Sequence, residues 1–288
     1  MLVGISGVLF AAMNVATVFP AKELNSYVLP FYRYLFGSLF LIPILLRKGL
    51  VVPMRTSRIG MHALRGGLHS AGMLFWFIAL PLIPLADLTA LGFTGPIFVT
   101  FGAALFLGED VRLRRWIAVF VGFAGAMLIV RPGFAELSLG VLAALASTPL
   151  FSTSNVMSKM IARTDSADTI VIWQSIFIVL FSAPLAIIFW QTLTWEHVGW
   201  FLLAGLLGTI GQLFMQHGYQ VAEISAVQPI GFLSLIWNTV FGFVLFSQEP
   251  STWTFIGAAV IFSSSMYISH REAVRRAQLR TAVAVGKP

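Results

Sequence analysis

The chain has 288 residues, of which 58% are hydrophobic and only 10% are charged. Because soluble domains carry about 25% charged residues, this composition excludes a water-soluble globular protein and predicts an all-α integral membrane protein. The absence of cysteine excludes disulfides, thiol catalysis and cysteine-based metal sites, and we expect neither a metal ion nor a cofactor.

Ten apolar segments follow one another along the chain, each near the length of about 20 residues that a bilayer crossing needs. Spans 1 to 5 are predicted near residues 3–20, 28–46, 62–81, 86–107 and 115–131. Spans 6 to 10 are predicted near residues 138–159, 169–190, 197–217, 225–246 and 252–269. The first span has no basic lead-in and no small-residue cleavage site, so we expect it to be retained as a helix.

Two short patterns recur after about half the chain. The sequence of residues 105–110, LFLGED, returns at 245–250 as LFSQEP, and Pro43 returns as Pro184. A repeat of this length predicts a first five-helix half at residues 1–135, a second at 136–270 and a basic tail at 271–288. Five is an odd number, so the second half must enter the membrane from the opposite side. The expected architecture is therefore ten transmembrane helices in two inverted-topology repeats.

Basic residues are concentrated in alternate connections. The even-numbered connections contain ten Lys and Arg residues, Arg65 among them, whereas the odd-numbered ones contain only Lys22 and Arg131. The tail adds five more on the side of the ten. The positive-inside rule then predicts cytoplasmic N- and C-termini in a multi-pass protein of the inner membrane. The net charge of +7 thus reflects topology, and no nucleic-acid partner is expected.

Polar side chains inside the spans are candidates for lining a cavity, because in hydrocarbon they usually face the protein interior or water. Several recur on one helical face, such as Gln212 and Gln216 in span 8. Aromatic walls with a few amides suit an amphipathic ligand. The alternative for the small and amide residues is helix–helix packing, and for His69 a purely structural role. The substrate-binding candidates are Asn14, His69, Trp76, Asn155, Trp173, Gln212, Gln216, Trp237 and Asn238.

Arg33 lies about five residues into span 2. It either snorkels to the interface or points inward as a charge partner for a substrate carboxylate or for an acid such as Glu223. Glu109 and Glu249 are expected to stabilise the turns into spans 5 and 10. Prolines kink helices, so candidate hinges between the halves are Pro43, Pro96, Pro149, Pro184 and Pro229.

The five-plus-five helices, the Leu107-Gly108-Glu109 sequence with its counterpart Glu249, and the glycine-rich helices that follow resemble the drug/metabolite transporter superfamily. Within it, the chain is similar to the EamA-type exporters. Asn14 and Arg33 also stand where that family often has these residues, whereas Ser247-Gln248 replaces its usual Leu-Gly. The resemblance implies export or exchange of small metabolites through a central cavity, and the nearest likeness is to bacterial exporters of aromatic amino acids.

The resulting functional prediction is a secondary transporter, not an enzyme, that exports or exchanges small neutral or zwitterionic metabolites by alternating access. Amino acids, including aromatic ones, are the expected cargo; the lipid bilayer is the other partner, and the protein is a monomer or homodimer. Arg33 is the only basic residue within a core span in this interpretation, which argues against multiply charged anions. A proton-coupled multidrug exporter is the alternative, although residues 3–20 contain no acid. A non-transporting scaffold or a membrane enzyme is less favoured, since no nucleophile or metal motif is present.

Overall fold

The computed structural model describes residues 2–49, 51–95, 98, 113–130, 138–221 and 233–284. All regular secondary structure in these ranges is helical, as the composition predicts. The helices of the first half are α1 (Leu2–Ala21), α2 (Leu29–Leu39), α3 (Ile42–Lys48), α4 (Val51–Met54), α5 (Ile59–Ala79), α6 (Leu85–Gly92) and α7 (Leu113–Val130). Those of the second half are α8 (Leu139–Ile161), α9 (Ala167–Ile188), α10 (Trp195–Val221), α11 (Leu233–Phe246) and α12 (Thr252–Ala284).

These helices follow the ten predicted spans. Span 2 consists of α2 and α3, span 4 begins with α6, and span 9 ends with α11. Within the described residues, five segments are long and apolar enough to cross a membrane: Gly4–Ala21, Leu29–Lys48, Leu139–Ile161, Ala167–Ile188 and Trp195–Gly218. Several residues singled out in the sequence lie outside the described ranges, namely Pro96, Glu109, Glu223 and Pro229. Glu249 is described and exposed.

The prolines proposed as hinges differ in their local structure. Span 2 is interrupted at Phe40 and Leu41, and Pro43 occupies the second position of α3, where its missing N–H has no intrahelical role. Pro149 and Pro184 lie inside the uninterrupted helices α8 and α9. Pro43 and Pro184 therefore correspond in sequence but not in local structure, because the helix is broken only near Pro43.

Helix α12 continues well beyond predicted span 10. Its 33 residues correspond to about 50 Å at 1.5 Å per residue, compared with a hydrocarbon core of about 30 Å. Ala and Arg make up eight of the 14 residues at 271–284, and both are strong helix formers. Most of the basic tail is therefore an extension of the last helix.

The two halves interleave, and their contacts occur in matching pairs. Helix α1 packs on α10, and its counterpart α8 packs on α5. In the same way, α2 on α10 corresponds to α9 on α5, and α1 on α11 corresponds to α8 on α6. The closest approach of α2 to α10 is made by glycines: a Cβ on Gly205 would stand 2.7 Å from the backbone nitrogen of Gly37.

The assignment of Arg65 to a connection between spans is wrong. Arg65 lies inside α5 and is buried. Its guanidinium donates to Gln174 Oε1 at 2.7 Å, and to the carbonyl oxygens of Ser154 at 3.3 Å and Ile170 at 3.4 Å. These acceptors, all from the second half of the chain, take the place of water around the buried cation. A hydropathy pattern considers only the local segment and does not include such distant partners. The basic residues of the even-numbered connections fall from ten to nine, and Arg33 is no longer the only arginine inside a span.

The connection between α8 and α9 is held to the first half by Asp165. Its carboxylate accepts hydrogen bonds from Thr56 Oγ1 at 2.6 Å and from His62 Nε2 at 2.8 Å. Burial raises the pKa of Asp165, but the hydrogen bonds from His62, Thr56 and Thr164 outweigh burial and hold that pKa below its ordinary value of 3.8. Hydrogen bonds to the charged form favour it, so the carboxylate is charged at neutral pH.

A carboxylate whose pKa is lowered by folding stabilises the folded state above the pKa of the unfolded chain, about 4. That contribution is lost as the pH falls through the folded-state pKa. We therefore expect the melting temperature of the purified protein to fall more steeply between pH 5 and pH 3 in the wild type than in Asp165→Asn. Thermal unfolding in detergent measures this difference, and parallel curves for the two proteins would contradict it.

Candidate substrate-binding site

Three predicted site residues from three different helices meet in the interior; we call Asn14, Trp76 and Asn238 the amide cluster. Asn14 Nδ2 on α1 donates to Asn238 Oδ1 on α11 at 3.2 Å, and Trp76 Nε1 on α5 donates to Asn14 Oδ1 at 3.4 Å. Asn238 Nδ2 donates to the carbonyl oxygen of Ser234, one turn earlier in α11, at 2.8 Å. Both amides are buried. The cluster thus joins the first half to the second through side chains that can donate and accept hydrogen bonds.

An aromatic wall continues from the amide cluster along α5 and α8. The ring of Phe151 lies 6.0 Å from that of Trp76 and 4.9 Å from that of His69. A Cβ on Gly72 would stand 2.9 Å from Phe151, so the glycine allows the Phe151 ring to lie against α5. His69 Nδ1 is 3.2 Å from Ser154 Oγ. These rings offer flat apolar surface beside hydrogen-bonding groups, the combination that ligand pockets use.

Arg33 is buried within the protein, with only 3% of its surface exposed, and does not snorkel to an interface. Its guanidinium carbon lies 4.0 Å from the ring centre of Tyr34, and its Nη2 is 3.1 Å from Met13 Sδ. Within the part of the chain that the structure describes, its Nε has no hydrogen-bond partner. A Cβ on Gly208 would collide with the guanidinium. No described acid forms an ion pair with Arg33. A buried cation with these partners favours an incoming anionic or carbonyl group.

The remaining predicted residues occupy other environments. Gln216 is buried and accepts from Ser158 Oγ at 2.6 Å, while no described residue accepts a hydrogen bond from its Nε2. Gln212, one turn earlier on α10, is buried without a hydrogen bond to any described residue. Asn155 is half-buried. Trp173 donates through Nε1 to the carbonyl oxygen of Met54, outside the amide cluster, at 3.1 Å.

Trp237 precedes Asn238 on α11 but does not share its environment. It is 37% exposed and its ring lies 6.0 Å from that of Phe241. Neighbouring residues on a helix point about 100° apart, so burying Asn238 turns Trp237 toward the outside of the bundle. Its contact with substrate stays a prediction.

Sequence reasoning did not single out several residues of the site. Phe151 is one of 26 phenylalanines, so nothing in its local pattern distinguishes it from those that face lipid. Tyr34 is more informative in retrospect, because it follows Arg33 directly and accepts through its hydroxyl from Gln174 Nε2 at 3.5 Å. A tyrosine that directly follows an arginine inside a predicted span is a signal that can be recognised in a sequence.

The sequence model of the EamA-like transporter family matches the chain twice, at residues 1–131 and 138–270. A riboflavin transporter of Rhizobium johnstonii is 33% identical over 93% of this chain and 89% of its own length. An S-adenosylmethionine uptake transporter of Rickettsia felis is 25% identical over 91% of this chain and 89% of its own length. One solved crystal structure, 22% identical, covers 95% of this chain and 97% of its own with a TM-score of 0.62, which supports the fold.

The matched relatives are transporters of small molecules, not enzymes, and the matches span almost the whole chain. A transport function agrees with the structure of this chain, whose described residues form helices and place polar side chains in the interior. The chain belongs to the EamA-like transporter family.

Proposed function

We propose that the protein is a secondary transporter of a planar heteroaromatic metabolite of the riboflavin type. The observation that carries this proposal is the buried amide cluster beside the aromatic wall of Trp76, Phe151 and His69. Asn14 and Asn238 each have a second amide N–H and a second carbonyl lone pair beyond the hydrogen bonds described within the cluster, and these groups complement the imide edge of a flavin ring, an N–H between two carbonyls. The flat rings of the wall suit stacking against the remainder of such a ring system.

The family supports this choice of cargo over amino acids. A transporter of riboflavin is among the relatives above 30% identity. Aromatic amino acids, which the sequence favours, share the flat ring but replace the imide with a zwitterionic backbone. Arg33 suits the carboxylate of an amino acid and equally a flavin carbonyl or a phosphate on the ribityl chain, so it does not separate the two classes.

We further propose that transport proceeds by alternating access between two inverted halves, residues 1–135 and 136–270. The two family matches at 1–131 and 138–270 and the matching helix pairs across the halves support this arrangement. The excess of basic residues in the even-numbered connections, nine against two, supports cytoplasmic termini in the inner membrane. In such a carrier the direction of net flux follows the gradients of substrate and coupling ion.

The test is uptake into liposomes containing the purified protein, with riboflavin, tryptophan and a cationic dye compared in parallel, with and without a pH gradient. We expect saturable riboflavin uptake that unlabelled riboflavin inhibits and tryptophan does not. Tryptophan transport alone would favour amino-acid export, and proton-driven dye transport alone would favour the multidrug exporter. Absence of all three would overturn the proposal.

Trp76→Ala is expected to raise the KM for riboflavin by about tenfold, because it removes both a stacking surface and the donor to Asn14. The matched control is Trp195→Ala, since Trp195 is 91% exposed and its loss should leave uptake unchanged. Initial rates over a range of riboflavin concentrations separate KM from the maximal rate. Equal effects of the two substitutions would contradict the assignment of Trp76 to the site.

A further inference from the structure

The two halves are joined by a histidine–carboxylate pair at each end of the bundle. At one end, which we call the His62 mouth, His62 Nε2 is 2.8 Å from Asp165 Oδ2. At the other end, the His197 mouth, His197 Nε2 is 2.9 Å from Glu23 Oε2. The 20-residue segment Leu29–Lys48 runs from the connection that carries Glu23 to the connection that leads to His62. The two mouths therefore lie at opposite ends of span 2.

The two pairs occupy equivalent places in the two halves. His62 lies in the first turn of α5 and His197 in the first turn of α10, which form the third span of their respective halves. Asp165 lies in the connection before α9 and Glu23 in the connection before α2, which are the second helices. The histidines are 135 positions apart and the acids 142, close to the offset of 137 between the starts of the two family matches. Each pair therefore links the third span of one half to the connection that precedes the second span of the other half.

The surroundings of the pairs are equivalent as well. At the His62 mouth, Thr56 donates to Asp165 and Gln220 Nε2 donates to the Asp165 carbonyl oxygen at 3.2 Å. Lys48 Nζ also pairs with Asp168 Oδ2 at 2.5 Å.

At the His197 mouth, the backbone N–H of Asn25 donates to Gln191 Oε1 at 2.6 Å and Tyr32 Oη donates to the Gln191 carbonyl oxygen at 2.9 Å. At both ends, then, a polar cluster around the histidine pair crosses between the halves.

The pairs differ in their exposure to water. Both side chains of the His62 pair are almost fully buried, whereas the Glu23 side chain is 70% exposed. His62 Nδ1 is buried without a hydrogen-bond partner among the described residues, while His197 Nδ1 accepts from the backbone N–H of Thr194 at 3.3 Å. A buried ring nitrogen without a partner is destabilising, and opening the His62 mouth would hydrate it. The closed His62 mouth therefore includes an unfavourable free-energy contribution from this ring nitrogen, and opening the mouth removes it.

We propose that the His62–Asp165 and His197–Glu23 pairs are the reciprocal latches of the transport cycle. In this structure the His62 latch is buried and the His197 latch is solvated; in the alternate state the two exchange. Closing one mouth rocks the halves so that the equivalent pair at the other mouth, still formed in this structure at 2.9 Å, becomes exposed to water and weakens. This proposal rests on the alternating-access function proposed above and adds the residues that hold each mouth.

The absence of cysteine makes the latches testable by thiol labelling. Ser158→Cys reports on the His62 mouth, because Ser158 is fully buried in the last turn of α8, just before Asp165. Thr17→Cys reports on the His197 mouth, because Thr17 is fully buried near the end of α1, just before Glu23. The rate of modification by a bulky, water-soluble maleimide is measured for each reporter in detergent, without substrate.

Removing one latch should open its own mouth and close the opposite one. We expect Asp165→Ala to speed labelling of Ser158→Cys by about tenfold and to slow labelling of Thr17→Cys, as a shift between two states requires. Glu23→Gln should do the reverse with a smaller effect, because the Glu23 side chain is 70% exposed and its pair is solvated in this state. Asp165→Asn, which keeps the side-chain volume, serves if Asp165→Ala does not fold. Lys48→Gln is the matched control: it removes a half-exposed ion pair at the same mouth, and such pairs contribute little, so both rates should stay within about twofold.

Acceleration at both mouths, acceleration at one mouth with no change at the other, or no change at either would overturn the latch assignment. So would an effect of Lys48→Gln equal to that of Asp165→Ala. Because labelling needs no cargo, failure of riboflavin uptake with reciprocal labelling would reject the proposed substrate and leave the latches standing. Riboflavin uptake without reciprocal labelling would do the opposite.

Discussion

Asn238→Ala is expected to lower the initial rate of riboflavin uptake by about ten- to a hundredfold while the protein still folds. The substitution removes the acceptor of the 3.2 Å hydrogen bond from Asn14 Nδ2 and leaves that buried donor without a partner. Leaving a buried polar group without a hydrogen-bond partner costs about 1–3 kcal/mol. Each 1.4 kcal/mol corresponds to about a tenfold change in an equilibrium or rate constant. Because Asn14 also accepts from Trp76, its amide would reorient and the whole cluster would lose its arrangement.

A double-substitution cycle separates the cluster from its members. Asn14→Ala should reduce uptake as strongly as Asn238→Ala, and the double variant should be little worse than either, since residues in one hydrogen-bonded unit are not additive. Ser263→Ala is the control, because Ser263 is an exposed polar residue on α12 outside the cluster. Additive losses would show that the amides act separately. A strong loss in Ser263→Ala would point to a general effect on the bundle.

Gly205→Ala is expected to destabilise the protein by about 2 kcal/mol or more, because overpacking of a tight contact typically costs 1–3 kcal/mol. The added Cβ would stand 2.7 Å from the nitrogen and 2.8 Å from the Cα of Gly37. Both atoms belong to the backbone of α2, so no side-chain rotation relieves the collision and the helices must separate. Separation also lengthens the 3.0 Å hydrogen bond from Thr209 Oγ1 to the Gly37 carbonyl oxygen.

Gly199→Ala is the control on the same helix. A Cβ there would have no atom within 4 Å, and Ala is favoured over Gly in a helix by about 1 kcal/mol, so this substitution should be neutral or stabilising. The measurement is the melting temperature in detergent, where about 2 kcal/mol corresponds to roughly 4–8 °C for a chain of this size. Equal melting temperatures for the two variants would show that α2 and α10 are not held at this distance in solution.

The limits of the sequence reading are clearest inside α5. Hydropathy placed a helix at residues 62–81, close to the observed Ile59–Ala79, yet assigned Arg65 to a connection. Arg65, His62 and His69 lower the apolar content of this segment, but all three are buried against the second half. A linear pattern measures only whether a segment suits lipid. It does not register acceptors, such as Gln174, that another helix supplies more than 100 positions away.

The same reasoning separates the candidate site residues. Asn14, Trp76 and Asn238 could be named from sequence because polar groups in a membrane span are costly unless they face the interior. That rule identifies candidates without grouping them, so Trp173, Trp237 and Asn155 entered the same set. Only the packing of α1 on α10 and α11, and of α5 on α8, decides which of them meet. Phe151 had no such signal, because phenylalanine suits lipid and a binding site equally.

The sequence by itself determined that this chain is a helical membrane protein and predicted ten spans, since those properties follow from transfer free energies summed over about 20 consecutive residues. Its family followed from patterns distributed along the whole length. The tertiary structure alone decided where Arg33 and Arg65 are buried, that Asn14 meets Asn238 224 positions later, and that each mouth is held by a histidine and a carboxylate. These are contacts between distant segments, and their free energy depends on geometry that no local window of sequence contains.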